Sequence, residues 1–478
     1  MAPANVIVIM TDELRRDCVG AYGNPLIKTP HLDALAARGV RYDAAYTPSP
    51  ICVPARAAIA TGRYVHEIGC WGNAQPYAGT PESWHHRVRA AGRDMLSIGK
   101  LHFRSTADDN GFSDEIHPLH VKDGRGWVHG LLRDREDLFD ASGFAAHIGL
   151  GEDPYTAYDE VVCAATVDWI ARRGKAEGQA PWCLYVSFLR PHYPLTCPPR
   201  FYNLYDPAEV PTPRLATAGS GADHPVLAGL RRACNYDAPF DDETRQIAVA
   251  SYYGLCSFVD DLVGRILGAL TNSGQADDTA IIFTSDHGEC LGDRGFWTKM
   301  VMYEEAAAVP LIMAGPGIEP AVCTAPVSLI DLYPTMLDLT GAPPRDPPPH
   351  ARSLLASAKA PDPDRAVLSE YHDYSAATGM FLLRRGRWKL VVYPGFASHL
   401  FDLEADPGET RDLGGDPAYA KVIADLMAAL NAIADPDAVN AQAFADQARR
   451  IDELGGRDAI LAMPNYDHTP VEAPSSER

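Results

Sequence analysis

Four short, largely apolar runs constrain the fold of this chain more than any other feature. They cover residues 5–10, 95–98, 182–188 and 280–283, and each is bounded by turn or helix signals. None of them alternates between apolar and polar residues, as a strand with one face in water would. Continuous runs of this kind predict strands buried on both faces, in a parallel sheet that helices cover.

Helical patterns separate these runs. They cover residues 31–38, 155–173 and 243–271, and a further short strand pattern at residues 311–313 follows Pro310. Alternating strands and helices are typical of doubly wound α/β folds. We therefore predict an α/β fold with a large, mostly parallel sheet sandwiched by helices.

A Pro-rich break at residues 341–363 indicates a domain boundary. After it, residues 381–393 have the pattern of two strands around a turn, and residues 421–433 that of an amphipathic helix. These patterns predict a small α+β unit. The predicted organisation is an α/β catalytic domain over residues 1–345, a small C-terminal α+β domain over 366–435 and a C-terminal extension over 436–478.

Charge and cysteine usage narrow the functional classes. The 478 residues include 63 acidic and 42 basic side chains, a net charge of −21, which argues against nucleic acid as the main partner. No segment approaches the ~18–20 apolar residues of a membrane span. The ten cysteines are scattered without a CxxC pair, unlike those of a disulfide scaffold. We predict a cytoplasmic enzyme that binds neither nucleic acid nor membranes.

Acidic side chains directly follow two of the predicted strands. Asp12 and Glu13 follow the first strand, and Asp286 and His287 follow the fourth. In open α/β sheets, ligand-binding groups gather at the carboxyl ends of strands, so the two clusters can converge. Carboxylates with one imidazole suit a divalent cation such as Ca²⁺, Mg²⁺ or Mn²⁺. The alternative is that Asp12 only caps a helix beginning at Leu14.

Cys52 lies at the start of a predicted helix. Pro54 suits the first turn of that helix, and Gly62 lies just past its end. The helix dipole there favours negative charge on the cysteine. Arg56, one turn on, would direct its guanidinium back toward Cys52, which favours a functional residue. The alternative is that Cys52 is a buried structural residue, as most free cysteines are.

Basic and imidazole side chains follow the other predicted strand ends. Lys100 and His102 follow the second strand, His192 follows the third, and Lys299 lies thirteen residues after Asp286. Taken alone, each lysine is more often a solvent-exposed charge than a functional residue, and each histidine is more often a packed core or surface side chain. Combined with a metal site and a nucleophile at a helix start, they describe a site for an ester of an oxyanion.

These residues carry a resemblance to a known family. Cys52-x-Pro54-x-Arg56, followed by Ala-Thr-Gly-Arg, resembles the maturation signature of the type I sulfatases of the alkaline phosphatase superfamily, whose cysteine is oxidised to formylglycine. The resemblance covers roughly residues 5–435. Its other motifs are Gly99-Lys100-x-His102, Pro191-His192, Asp286-His287-Gly-Glu with Lys299, and Leu400-Phe-Asp-Leu-Glu-Ala-Asp-Pro-Gly-Glu409.

The resemblance implies a sulfatase that hydrolyses an aryl or small alkyl sulfate monoester. It implies one divalent metal, with Ca²⁺ or Mn²⁺ ahead of Mg²⁺, and a maturation enzyme that makes formylglycine from Cys52. The implied metal ligands are residue 52 itself, Asp12, Glu13, Asp286 and His287. Glu13 replaces the second Asp of many sulfatases, which makes it the least secure ligand.

The family mechanism also implies a role for each remaining candidate. Lys100 and Lys299 would neutralise the sulfate oxygens. His192 would protonate the leaving alcohol or phenol, and His102 would be the base when sulfate is eliminated. Arg56 would orient the nucleophile, and Asn73 resembles an active-site Asn that binds substrate.

Two positions indicate a branch of the family. His287 is typical of choline sulfatases and phosphonate monoester hydrolases, where many sulfatases have Asn. Lys100 and His102 resemble true sulfatases, since the phosphonate hydrolases have Tyr and Thr there. The alternative function is therefore a phosphonate monoester or phosphodiester hydrolase on the same scaffold. A binder of sulfate esters without catalysis is a more distant alternative.

The branch has two further implications. Its C-terminal extensions pack against a neighbouring subunit, so the resemblance implies a homo-oligomer, either a dimer or a tetramer. The acidic chain would suit a cationic leaving group such as choline, and Trp71 or Trp127 could offer it an aromatic face.

Overall fold

The computed structural model describes residues 5–135, 141–174, 180–215, 224–234, 239–466 and 468–471. Within these ranges the strands are β1 (Asn5–Asp12), β2 (Val40–Tyr42), β3 (Ala45–Tyr46), β4 (Asp94–Lys100), β5 (Asp114–Leu119), β6 (Ile148–Leu150), β7 (Trp182–Pro191), β8 (Leu195–Cys197), β9 (Thr279–Ser285), β10 (Leu311–Ala314), β11 (Ala321–Cys323), β12 (Val327–Ser328), β13 (Ala366–Tyr371), β14 (Met380–Arg385), β15 (Trp388–Val392) and β16 (His399–Asp402).

The helices of the same ranges lie between and after these strands. They are α1 (Pro30–Ala37), α2 (Cys52–Thr61), α3 (Val65–Ile68), α4 (Trp84–Ala90), α5 (Ala141–Ala145), α6 (Pro154–Arg173), α7 (Pro199–Tyr202), α8 (Pro225–Cys234), α9 (Asp242–Asn272), α10 (Glu304–Ala307), α11 (Leu332–Thr340), α12 (Leu354–Lys359), α13 (Ala420–Asn431), α14 (Pro436–Glu453) and α15 (Arg457–Leu461).

The predicted large, mostly parallel sheet is confirmed. Its eight strands have the order β11-β2-β10-β9-β1-β7-β4-β5. β9, β1, β7, β4 and β5 run parallel to one another, and β10 is antiparallel to both β9 and β2. Every residue of β1, β7 and β9 is buried, as their continuous apolar sequences predict.

Helices cover both faces of the sheet. In β1, Ile7 and Ile9 face the core formed with α6 and α9, whereas Val6 and Val8 face the core formed with α4 and α11. The expectation that no segment approaches a membrane span is wrong by length and composition alone, because the 31-residue helix α9 is long and apolar enough to cross a membrane. However, 83% of its apolar window is buried inside the protein, which is the pattern of a core helix.

A second, antiparallel sheet follows the Pro-rich break. Its strands have the order β13-β14-β15-β16, and α13 packs against β13 and β14. A buried ion pair ties this sheet to the part of the chain before the Pro-rich break: Lys389 of β15 contacts Glu304 at 3.1 Å, and it also contacts Glu409 at 2.7 Å. Glu409 also accepts a hydrogen bond from the backbone of Glu304, at the start of α10. The small sheet therefore contacts the start of α10.

Two local features differ from the sequence-based expectations. No helix begins at Leu14, because Glu13 turns the chain with a φ of 68° and only a short 3₁₀ helix, Arg16–Cys18, follows. The alternative in which Asp12 caps a helix there is therefore wrong. The strand β5 was not predicted, and it forms an edge of the large sheet. It is polar and contains Pro118, both typical of an edge strand.

The C-terminal extension packs back on its own chain over the residues described. Both α14 and α15 contact the short helical turn Val128–Leu131 of the catalytic domain. Contact between the extension and a neighbouring subunit stays a prediction.

Ile7→Ala should destabilise the protein strongly. Ile7 has no exposed surface, and removing such a side chain from a packed core costs about 2–5 kcal/mol of unfolding free energy. Equilibrium urea unfolding measures the change. The control is Val322→Ala on the edge strand β11, where 53% of the side chain is exposed and the change should stay within about 0.5 kcal/mol. Equal losses in the two variants would contradict a core centred on β1.

Candidate active site

The candidate residues meet at one edge of the large sheet. Asp12 ends β1, Lys100 ends β4, Asp286 directly follows β9 and His192 directly follows β7. These strands are parallel neighbours, so their carboxyl ends lie side by side. Cys52 is the first residue of α2, which begins beside the same edge.

Four of these side chains form a compact buried cluster. One ligand atom from each of Asp12, Cys52, Asp286 and His287 lies within 4.8 Å of the others. The Cys52 Sγ atom is 3.2 Å from His287 Nε2 and 3.7 Å from Asp12 Oδ1. Two carboxylates and one imidazole make a donor set that suits a hard or borderline divalent cation.

Arg56 holds the two carboxylates of this cluster. Its Nε atom donates to Asp286 Oδ2 at 2.7 Å, and Nη2 lies 3.3 Å from Asp12 Oδ2. Nη1 donates to the Lys100 carbonyl oxygen and to Ser187 Oγ, which the sequence did not single out. Four contacts leave the guanidinium fixed, with 1% of the side chain exposed. Arg56 therefore orients the carboxylates that surround Cys52.

Charge on Asp12 is maintained by its cationic neighbours. The Lys100 ammonium contacts Asp12 Oδ2 directly. Burial acts to raise the pKa of Asp12, but the Lys100 ammonium and the Arg56 guanidinium outweigh it and hold the pKa well below its usual range. Asp12 is therefore a carboxylate at neutral pH.

Glu13 faces a different group from Asp12. Its Oε2 atom lies 3.0 Å from Lys299 Nζ and 3.3 Å from His192 Nε2. Asp12, Glu13 and His192 are also close enough to hold a metal. However, the Lys299 ammonium contacts both Glu13 and His192, so the protein's own cation already balances this group.

A metal-binding role for Glu13 stays a prediction. Its Oε1 atom is buried and has no hydrogen-bond partner among the residues that the structure describes. The backbone N–H of Glu13 donates to Asp286 Oδ1 at 3.3 Å, which keeps the residue beside the cluster. Burial raises the pKa of Glu13, against the opposing effect of Lys299. The Glu289 carboxyl lies within hydrogen-bond reach of the Glu13 carboxyl, so either a cation or a shared proton can satisfy these buried oxygens.

His192 and Lys299 form a hydrogen-bonded pair. The Lys299 ammonium lies 2.8 Å from His192 Nε2, and His192 Nδ1 lies 2.6 Å from the Tyr193 carbonyl oxygen. Burial and then Lys299 lower the pKa of His192 well below its usual range, which leaves the imidazole neutral. Burial acts to lower the pKa of Lys299, but the Glu13 carboxylate beside it outweighs burial and the pKa lies well above its usual range. The proton of the pair resides on Lys299.

His102 and Asn73 contact parts of the chain far away in sequence. His102 Nε2 lies 2.8 Å from Thr469 Oγ1, in the C-terminal extension. Burial and then Lys100 lower the pKa of His102 well below its usual range. The Asn73 side-chain oxygen accepts a hydrogen bond from the backbone of Val53, in the first turn of α2. Asn73 therefore stabilises the helix start that presents Cys52.

The thiol of Cys52 is not activated by its protein surroundings. Burial, followed by the Asp12 carboxylate, raises the pKa of Cys52 to about 12. The helix N-terminus and the two lysines therefore do not make this cysteine a thiolate by themselves. A buried thiol with so high a pKa is poorly suited to act as a nucleophile.

The site opens into a cavity with aromatic walls. Sequence reasoning named Trp71 and Trp127 as candidate aromatic faces, and only Trp127 lines the cavity. Trp71 packs edge-on against His372 instead, with ring centroids 5.1 Å apart. The residues that sequence reasoning missed include a set of aromatic and polar side chains of the cavity: Tyr155, Tyr193, Tyr374, Tyr466, His468 and Thr469. Of these residues, Tyr193 could have been found from the sequence, because it directly follows His192 at a strand end.

The arrangement is that of a hydrolase of the alkaline phosphatase type: a parallel sheet whose strand ends carry a cluster of side chains able to hold a metal, beside a buried cysteine at a helix start. The chain belongs to the sulfatase family within that class. A family model described as "Sulfatase" matches residues 4–342, and one described as "N-sulphoglucosamine sulphohydrolase, C-terminal" matches residues 292–435. The protein is a sulfuric ester hydrolase.

Individual relatives support the same family. Over 488 residues, the chain is 32% identical to choline-sulfatase of Rhizobium meliloti (strain 1021), a match that covers 99% of this chain and 95% of that protein. It is 29% identical to arylsulfatase K of Danio rerio over 461 residues, which cover 91% of this chain and 84% of that protein.

Solved structures agree on the fold and the branch. The phosphonate monoester hydrolase of Agrobacterium radiobacter superposes with a TM-score of 0.74 at 26% identity, covering 92% of this chain and 96% of that one. BT4656, solved with its substrate D-glucosamine-2-N,6-O-disulfate, has a TM-score of 0.72 at 22% identity, covering 91% and 99%. This second likeness concerns the fold alone.

Asp286→Asn should weaken metal binding more than about tenfold, because it removes a charged ligand while keeping the shape of the side chain. The amide oxygen can keep either the hydrogen bond from Arg56 or those from the backbone N–H groups of Glu13 and His287, so circular dichroism of the metal-free variant should first confirm its fold. Metal content after dialysis against a buffered metal series measures the affinity. Asp402→Asn, in the small sheet, is the control and should bind metal as the wild type does. Unchanged metal content in the Asp286 variant would remove this residue from the ligand set.

Proposed function

We propose that this sulfatase hydrolyses a small alkyl or aryl sulfate monoester, with residue 52 as formylglycine at the centre of the reaction. The observation that carries this proposal is the position of Cys52. Its sulfur lies 3.2 Å from His287 Nε2 inside the buried acidic cluster, and Lys100 and Lys299 line the same cavity. A maturation enzyme would be needed to oxidise the cysteine, whose own thiol is not activated.

A divalent metal fits the acidic cluster. Ca²⁺ or Mn²⁺, ahead of Mg²⁺, would be held by Asp12, Asp286, His287 and residue 52, with the free oxygen of Glu13 as a further ligand. When bound, the metal would supply Lewis-acid activation of a hydroxyl on residue 52. Hydrated formylglycine would supply that hydroxyl and a second one, which allows sulfate to leave as the aldehyde re-forms.

The two lysines bind the sulfate group. Both ammonium groups are buried and line the cavity beside Cys52, where water does not screen their charge. Sulfate oxygens between Lys100 and Lys299 would be neutralised as charge redistributes in the transition state. The lysines also orient the ester so that its sulfur faces residue 52.

His192 and Lys299 deliver a proton to the leaving group. The proton rests on Lys299 Nζ, which donates it in a hydrogen bond to His192 Nε2. A departing alkoxide or phenoxide beside this pair would take that proton, either from Nζ directly or through the imidazole. His102 is the proposed base for the second half of the turnover, when sulfate is released.

The leaving group is proposed to lie against the aromatic wall. Trp127 and Tyr374 have ring centroids 5.0 Å apart, and Tyr155, Tyr193 and Tyr466 complete the lining. Aromatic faces attract a cationic head group by about 0.5–2 kcal/mol. The similarity to choline-sulfatase supports a cationic alkyl group such as choline.

Phosphonate monoester and phosphodiester hydrolysis is the second candidate. It is supported by the two phosphonate monoester hydrolases that superpose with TM-scores of 0.74 and 0.73, each at 26% identity. Lys100 and His102 favour sulfate esters, because the phosphonate enzymes resembled by the sequence have Tyr and Thr there. We also propose, from the sequence, a cytoplasmic dimer or tetramer.

We expect kcat/KM for 4-nitrophenyl sulfate to exceed that for 4-nitrophenyl phenylphosphonate. Steady-state kinetics on metal-loaded protein would measure both, after mass spectrometry of the tryptic peptide 42–56. That peptide should be lighter than the thiol form by about 18 Da, the change from cysteine to formylglycine. Cys52→Ala is the control and should abolish both activities while binding metal through its remaining ligands. A faster phosphonate reaction would favour the second candidate, and an active Cys52→Ala protein would exclude residue 52 as the nucleophile.

A cationic leaving group should be preferred over a neutral one of the same shape. We expect kcat/KM for choline sulfate to exceed that for 3,3-dimethylbutyl sulfate by about 3- to 30-fold, the range of cation–π energies. Trp127→Ala should remove most of this ratio, measured by the sulfate released. Trp388→Phe, on β15 of the small sheet, is the matched control and should keep it. Equal rates for the two esters in the wild type would refute a cationic leaving group.

A further inference from the structure

Part of the C-terminal extension lies across the mouth of the active site. We call residues 463–466 and 468–471 the C-terminal segment. The Trp127 indole N–H donates to Asn465 Oδ1 at 2.7 Å, and the Tyr155 hydroxyl donates to the Thr469 carbonyl oxygen at 2.7 Å. The His468 ring packs edge-on against Tyr155, with centroids 5.3 Å apart. The segment is thus fixed to two residues that line the catalytic cavity.

One side chain of this segment contacts a candidate catalytic group directly. Thr469 Oγ1 lies 2.8 Å from His102 Nε2, and only 5% of His102 is exposed. His102 Nδ1 is also buried, and it has no hydrogen-bond partner within the described part of the chain. The backbone of His102 has a φ of 55°, so the chain holds this residue in the left-handed region, which a non-glycine side chain rarely adopts.

The hydrogen bond at one imidazole nitrogen decides the state of the other. A neutral imidazole carries one proton, and the nitrogen without it is the basic one. If Nε2–H donates to the Thr469 hydroxyl, the lone pair is on Nδ1, which no other group of the described protein occupies. If the hydroxyl donates instead, the lone pair on Nε2 is consumed and the imidazole cannot accept a further proton there.

We propose that Thr469 is a positioning residue for His102: its hydroxyl oxygen accepts a hydrogen bond from Nε2–H and leaves the lone pair of Nδ1 free for proton transfer. This inference rests on the proposed function, in which His102 is the base. When sulfate leaves residue 52, the C–O bond to sulfate breaks and the aldehyde C=O bond forms. The proton of the remaining hydroxyl then passes to Nδ1, which gives an imidazolium that still donates from Nε2 to Thr469.

The geometry favours this direction of the hydrogen bond. The opposite direction would leave Nδ1–H as a buried donor without a partner, which costs about 1–3 kcal/mol. In the proposed direction, Nδ1 carries a lone pair instead, and that lone pair can accept a proton. The Tyr155 hydroxyl contributes by holding the Thr469 backbone through its carbonyl oxygen. This bond helps to keep the Thr469 side chain beside His102.

Thr469→Val removes the hydroxyl and keeps the volume of the side chain. Rapid-quench measurements with ³⁵S-labelled 4-nitrophenyl sulfate follow phenol release and sulfate release separately. We expect phenol release at the wild-type rate, with sulfate release slowed roughly five- to tenfold, the effect of losing one buried hydrogen bond. A burst of phenol should therefore precede the steady state. Thr469→Ser should restore sulfate release, and Thr271→Val, on the exposed end of α9, should behave as the wild type.

A second measurement does not depend on activity. ¹⁵N spectra of histidine-labelled protein, with the His102 signal assigned by its loss in His102→Gln, report which nitrogen carries the proton. The wild type should show His102 protonated at Nε2, and Thr469→Val should show a mixture of the two forms. Protonation at Nδ1 in the wild type would overturn the proposal. Equal slowing of both release steps in Thr469→Val, or no slowing of either, would also overturn it.

The two measurements separate this inference from the proposed function. If mature, metal-loaded wild-type protein releases no phenol from the sulfate ester, the proposed function fails, and the spectra still decide whether Thr469 sets the His102 tautomer. If the wild type turns over normally and Thr469→Val matches it in both steps, the proposed function survives and the role of Thr469 is refuted.

Discussion

The burial of two carboxylates at neighbouring strand ends is the constraint on which the rest of this structure depends. Asp12 and Asp286 have no exposed surface, and burial without compensation would make charged groups very costly. Arg56 contacts both carboxylates, and Lys100 contacts Asp12. Because Arg56 reaches them from α2, this helix must begin at the sheet edge. Cys52, one turn before Arg56, is therefore placed inside the cluster by the same contacts that make the burial of charge tolerable.

The cavity of the site is lined by positive charge, although the protein as a whole is acidic. The chain carries a net charge of −21, yet the charged side chains lining the described cavity are Lys100 and Lys299. Each ammonium group also contacts a carboxylate, Asp12 or Glu13, so the lysines are held before any substrate binds. An anionic ester thus meets cations that need little reorganisation, which is the condition under which electrostatic stabilisation of a transition state is most effective.

The sequence could predict those parts of the fold and the site whose signals lie within a short stretch of chain. Continuous apolar runs identify the central strands, and polar residues directly after them identify Asp12, Lys100, His192 and Asp286, because parallel strands end at one edge. The edge strand β5 carries neither signal, since half of its environment is solvent. Tyr374 and Thr469 could not be found in this way: they follow no strand of the large sheet, and only the packing of the small domain and the extension brings them to the cavity.

The C-terminal segment shows why residues such as Thr469 cannot be identified from the local sequence pattern. Its sequence is too poor in apolar residues to fold alone, and its described contacts are made mainly with the residues that line the active site. Order in the segment and order at His102 are therefore mutually dependent: Tyr155 fixes the backbone of Thr469, and Thr469 fixes one nitrogen of the imidazole. A helix or strand forms from its own sequence pattern, whereas the conformation of this segment is set by its contacts with the site. Its role is accordingly found from three-dimensional contacts and from the unpartnered nitrogen that they leave free.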